Sequence, residues 1–143
     1  MKLRSIVSVI AAGFLLLVIG CAGSADLSRC STPNPEVVQL LASGLTVDGK
    51  GGLRAAQAVK SKDIAEQWFL AADIQGPGLD GTGEIAVWGL RNVTDLAKMS
   101  PTVWANYTAK EFSEFGVARQ DRWFNPNTDG LKEAEDCVKH ILK

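Results

Sequence analysis

Hydrophobic residues change rhythm along this chain, and each rhythm predicts an element. Val37, Leu40 and Leu41 form a stripe at helical spacing, with Asn34 as a cap, Pro35 at the first helical position and Gly44 as the stop. Asp48-Gly49 marks a turn. Across 53–60, Leu53, Ala55, Gln57 and Val59 alternate in strand fashion. The alanines there favour helix, but the short Ser61-Lys62-Asp63 turn tips the reading to a strand. Residues 68–74 have the strongest strand pattern: Trp68, Leu70, Ala72 and Ile74 point one way, and Phe69, Ala71 and Asp73 the other. Ile85, Val87 and Trp88 predict a further strand. Ser100-Pro101 predicts a helix start, with Trp104, Ala105, Thr108, Phe112 and Phe115 on one face, Asn106, Lys110 and Ser113 opposite, and Gly116 at its end. A loop follows, with a short strand near Arg122–Phe124. Asn127, Thr128 or Asp129 is expected to cap a last helix. Its inner face is Leu131, Ala134, Val138, Ile141 and Leu142, with Cys137 on the flank.

These elements predict a single α+β domain over residues 32–143: an antiparallel meander of about three strands with helices packed on one face. Within it, "GPGLDGTG" at 76–83 satisfies G-x-G-x-x-G through Gly76, Gly78 and Gly81. A dinucleotide loop ends a strand and opens a helix whose amides hold the pyrophosphate. The residues after Gly83 are β-branched and aromatic instead, so the stretch is expected to join two antiparallel strands, and no cofactor is assigned to it. A concave anion nest formed by its amides is the weaker alternative.

The N-terminal segment changes the picture. Lys2 and Arg4 precede an apolar or small run from Ile6 to Gly20, broken only by Ser8. About 20 residues are needed to cross a hydrocarbon core as a helix. This shorter run reads as an export signal over residues 1–20. Its end, Val18-Ile19-Gly20-Cys21, resembles the lipobox of bacterial lipoproteins, with Val and Ile in place of the more usual Leu and Ala. The resemblance implies cleavage before Cys21 and diacylation of its thiol with chains such as palmitate. It places the protein at the extracytoplasmic face of the cell membrane, on a short tether that ends by residue 31. Two acyl chains hold a protein stably where one does not. The order of elements around "WFLAADIQGPGLDGTGEIAVWGL", with a cysteine in the last helix, is also similar to small envelope lipoproteins of actinobacteria. That likeness implies a location and no reaction.

Charge and cysteines follow from this. Removal of residues 1–20 takes away Lys2 and Arg4 and no acid, leaving 13 basic against 16 acidic residues, a net charge of −3. That balance speaks against nucleic acid and against electrostatic binding to anionic lipid. With Cys21 acylated, Cys30 and Cys137 form the remaining pair, which in an exported chain predicts a disulfide.

The residues offer little chemistry. His140 is the one histidine and falls opposite the apolar face of the last helix, so triad and Cys-His catalysis have little to draw on. A zinc site lacks ligands, and no Asp-x-Asp spacing supports calcium at Asp80. Asp73, Asp80 and Glu84 supply carboxylates near the hairpin for an alternative reading, an enzyme acting on envelope glycans. Small-ligand binding between sheet and helices is another. Trp68 and Trp88 are expected in the core. Trp123, beside Arg122 and Phe124, is the aromatic expected at an interaction surface, with Arg122 and Asp80 as the other interaction candidates. Asn92-Val-Thr and Asn106-Tyr-Thr match glycosylation acceptors that a bacterial envelope leaves unused. The expectation is a non-enzymatic, lipid-anchored binding domain whose partner is another envelope component.

Overall fold

The structure is a computed structural model that describes residues 26–49, 51–98, 104–115 and 127–143. Its element order is α1 (Pro35–Ser43), β1 (Gly52–Lys60), β2 (Trp68–Gln75), β3 (Ile85–Leu90), β4 (Trp104–Ala105), α2 (Tyr107–Phe112) and α3 (Leu131–Ile141). Among the described residues the strands form one sheet in the order β1-β2-β3-β4, with each neighbouring pair antiparallel. This is the expected α+β fold with helices against an antiparallel meander.

The alternation in β2 decides the layering. Leu70, Ala72 and Ile74 belong to one buried cluster, with Val37 and Leu41 of α1, Trp88, and Ala109 of α2. Phe69 and Ala71 belong to the other, with Val59, Val87, and Leu131, Ala134, Cys137 and Val138 of α3. Both faces of β2 are apolar, so both need covering. The helices are therefore divided: α1 and α2 on one face, α3 on the other, where one covered face was expected.

In β1 the simple alternation fails. Ala55 has φ 55°, and the register with β2 shifts between Arg54 and Gln57. This β-bulge sends Leu53 to the α1 cluster while Ala55 and Val59 pack on the α3 side.

In α1 the Asn34 side chain accepts from Glu36 N at 2.8 Å, as its cap position predicts. Val37 and Leu41 are buried, but Leu40 lies on the exposed flank. The helix expected from Ser100 is different. Trp104 and Ala105 pair with Gly89 and Trp88 as β4, and α2 begins only at Tyr107. Asn106 explains the break. Its Oδ1 accepts from Ala109 N and from Val87 N, and its Nδ2 donates to Ile85 O. One side chain thus caps α2 and extends the edge of β3. Ser113, expected on the outer face, is buried and accepts from Trp88 Nε1 at 3.3 Å. Ser100, Pro101 and the strand near Arg122–Phe124 lie outside the described residues.

The N-cap of α3 is Gly130, one residue beyond the three expected, with φ 95° and its N–H donating to Glu133 Oε2. A Cβ there would sit 3.1 Å from Phe69 Cδ2, so glycine meets both the backbone and the space requirement. Ile141, expected on the inner face, is 53% exposed; it is the last helical residue and joins neither cluster.

Cys30 and Cys137 form a disulfide with Cα atoms 5.9 Å apart, across 107 residues of sequence. In the chain-entropy model such a closure contributes about 4–5 kcal/mol.

Candidate functional site

Register builds the candidate site. Lys60 pairs with Trp68, and Trp68 pairs with Leu90, so β1 ends, β2 starts and β3 ends at one edge of the sheet. The loops 61–67 and 91–98 rise from that edge. Between them lies an open cleft of about 440 Å³ lined by Lys60, Glu66, Trp68, Arg91, Asn92 and Lys98.

Both loops are held by local hydrogen bonds. Ser61 Oγ accepts from Asp63 N and Ile64 N, and Ser61 N donates to Gln67 O. Gln67 Nε2 donates to Leu90 O and Trp68 O, tying the first loop to the ends of β2 and β3. Asn92 Oδ1 accepts from Thr94 N, Thr94 Oγ1 and Asp95 N, an Asx turn that fixes the second loop. Val93 is buried beneath it, and its carbonyl accepts from Asn34 N. Glu66 sits at the lip with φ 59°, a left-handed conformation uncommon outside glycine.

The cleft is positive. Lys98 pairs with Asp95 at 3.1 Å, and the bond from Lys98 is the main cause that holds the Asp95 carboxyl below its ordinary range. Lys60 and Arg91 have no acidic partner among the described residues. Trp68 is half-buried: it packs against the α1 cluster and lines the cleft. Sequence reasoning placed Trp68 in the core and singled out none of the cations. The signal available was a basic residue at each strand end, Lys60 and Arg91; their meeting depends on strand register.

The N-terminal segment reaches the same end of the sheet. Ser31 bridges to Ala58, and Arg29 Nη2 donates to Lys60 O at 2.7 Å. Arg29 also makes a two-pronged pair with Asp129, at 2.8 and 2.7 Å, while Asp129 accepts from Lys62 N. The bond from Arg29 is the main cause that lowers the Asp129 pKa. Residues 27–29, expected within a free tether, form a 3-10 turn capped by Asp26.

The other sequence candidates separate. Asp80 is exposed at the hairpin loop, where its Oδ1 accepts from Gly76 N at 2.8 Å and closes the turn. That loop joins antiparallel β2 and β3, and Gly76 O and Leu79 O take amides of Leu79, Asp80 and Thr82, which favours turning over an anion nest. Asp73 is fully buried, with Oδ2 bound by Arg54 and Gln75 and Oδ1 without a partner among the described residues. Neither described cleft is lined by Asp73, Asp80 or Glu84. His140 is exposed. A second, apolar groove of about 400 Å³ lies between α1 and the outer edge of β1, floored by Pro35, Val38, Leu53 and Ala56.

Cys21, Arg122 and Trp123 lie outside the described residues. Among the described residues no group of three or more His, Cys, Asp or Glu could hold a metal ion, and no helix is long and apolar enough to cross a membrane. No family model matches the chain, and no curated protein or solved structure is similar to it.

Proposed function

We propose that this chain is a lipid-anchored protein of the bacterial cell envelope whose domain works by binding. The observation that carries the reading is the cysteine partition. Cys30 and Cys137 are consumed by a disulfide, which leaves Cys21, directly after an export-type apolar run, as the third cysteine. A disulfide across the domain suits a compartment outside the cytoplasm. A thiol at the end of the Val18-Ile19-Gly20 sequence suits acylation. The domain offers a polar cleft fixed by loop hydrogen bonds, with cations and an aromatic ring, and this arrangement fits recognition.

Metabolic labelling with an alkyne fatty acid tests the anchor. The native chain takes up label and fractionates with membranes, and Cys21→Ser abolishes both. Label retained in Cys21→Ser would overturn the proposal. Crosslinking in cells with and without Trp123→Ala tests an envelope protein partner; an unchanged adduct would remove Trp123 from the binding surface.

A further inference from the structure

We infer that the Lys60–Trp68–Arg91 cleft receives phosphate-bearing headgroups of anionic lipids in the leaflet that holds the Cys21 anchor. The orientation rests on the proposed anchor; the chemistry of the cleft is independent of it.

Three observations converge on this end of the sheet. First, the chain leaves the domain there. From Ser31, bridged to Ala58, it runs back past Lys60 O, which Arg29 holds, to Asp26. Asp26 lies close enough to Lys62 for that ammonium to help lower its pKa, after the larger effect of the hydrogen bond from the Ser28 hydroxyl. From Asp26 back to Cys21 is five residues. Fully extended they span at most about 18 Å. An acylated Cys21 therefore keeps the cleft end of the domain beside the bilayer surface.

Second, the cleft concentrates cations in a chain that has few to spare. Lys60, Arg91 and Lys98 line it against a single lining carboxylate, Glu66. Net charge predicted no attraction to anionic lipid. That argument averages over the whole molecule, whereas a headgroup within a few ångströms feels the local field, because charges beyond about 8–10 Å are screened at physiological salt. Lys60 and Arg91 are the two whose charge no acid among the described residues neutralises.

Third, Trp68 lies among these cations, half-buried. Indole beside lysine and arginine is the side-chain set favoured at the headgroup level of a membrane, where one edge of the ring is apolar and the other wet. The cleft volume, about 440 Å³, accommodates a glycerol phosphate or comparable polyol phosphate. The guanidinium of Arg91 suits two phosphate oxygens together, and Lys60 supplies a point charge.

The experiment uses the acylated full chain, purified from membranes and reconstituted into phosphatidylcholine vesicles. One preparation contains phosphatidylglycerol with a photoreactive diazirine on its headgroup; the other contains the same diazirine on phosphatidylcholine. The expected result is adducts on the peptides that carry Trp68 and Arg91, from the anionic probe only and reduced by salt. Each cation near an anionic surface changes occupancy about fivefold, so Lys60→Gln with Arg91→Gln lowers adduct yield about 25-fold. The intact disulfide and an unchanged unfolding midpoint show that the variant is folded. Equal adducts from the zwitterionic probe, adducts mapped elsewhere, or an unchanged yield in the double variant would overturn the inference. Free glycerol phosphate that binds as well without vesicles would assign the cleft to a soluble phosphate, and an acidic oligosaccharide that alone blocks labelling would assign it to a glycan; either outcome also overturns it. Fatty-acid label on Cys21 without cleft adducts defeats this inference alone, while absence of the label defeats the anchor.

Discussion

Asp73 is the one fully buried acid among the described residues, and its surroundings argue for architecture. Arg54 Nε and Nη2 both donate to its Oδ2, at 2.9 and 2.7 Å, and Gln75 Nε2 adds a third bond at 2.7 Å. The pairing lies directly across β1 and β2, next to the bulge. It gives the shifted strand a register that no slipped pairing would satisfy. Breaking a buried ion pair from one side leaves a charge without compensation. Because the Arg54 side chain is 51% exposed, water would partly replace it. Arg54→Ala is therefore expected to lower unfolding stability by about 1–3 kcal/mol, and Asp73→Asn by less, as read from urea midpoints. The strand pattern placed Asp73 correctly opposite the Leu70 face. It could not show that the residue is paired, since Arg54 is 19 positions away and meets it only through strand pairing. Asp80, by contrast, is an exposed loop residue whose Oδ1 accepts from an amide four positions before it, a contact local in sequence.

At the scale of elements, the strongest periodic segments were legible and the short ones were not. β2 and α1 follow from their apolar spacing and from the Asn34 cap. The start of α2 was missed because Trp104 and Ala105 fit a helical wheel as well as a strand. Pairing with β3 and the triple role of Asn106 decided between them. The start of α3 was missed by one residue because Gly130 caps without a side chain. Gly130→Ala is expected to cost more than about 1 kcal/mol in thermal unfolding, from the left-handed backbone and the approach to Phe69. A neutral substitution would show that the α3 junction shifts freely.

The same junction carries an acid-sensitive pair. Arg29 holds the Asp129 carboxyl below its ordinary range, so the folded pKa is depressed. The stabilisation is then present above the unfolded value of about 3.9 and is lost as pH falls through the lower folded value. Unfolding midpoints are expected to drop below about pH 4, and Asp129→Asn is expected to flatten that drop while lowering the plateau at neutral pH. An identical acid profile in the variant would assign the sensitivity to other groups.

For the molecule as a whole, the sequence placed three layers of meaning at different distances. The export run and Val18-Ile19-Gly20-Cys21 are contiguous, so an address could be read directly as an expectation. The disulfide needed only cysteine arithmetic, and Cys30 meets Cys137 as expected. The second helical layer followed from the apolar residues on both faces of β2, but the strand alternation was assigned a single covered face. The cleft was beyond reach because Lys60 ends β1, Trp68 starts β2 and Arg91 follows β3, and they share a site only once register is fixed. Net charge has a related limit: it carries no position, so it is silent on where Lys60 and Arg91 gather. The 3-10 turn at Leu27–Arg29 is fastened to one end of the sheet through Lys60 O, and the charged cleft lies at that same end.

Intact mass spectrometry of the mature protein, extracted from membranes with detergent, tests the central claim most directly. The account predicts a chain that begins at Cys21 and carries the added mass of at least two acyl chains. A mature chain that begins at another residue, unacylated and recovered from the medium, would contradict it.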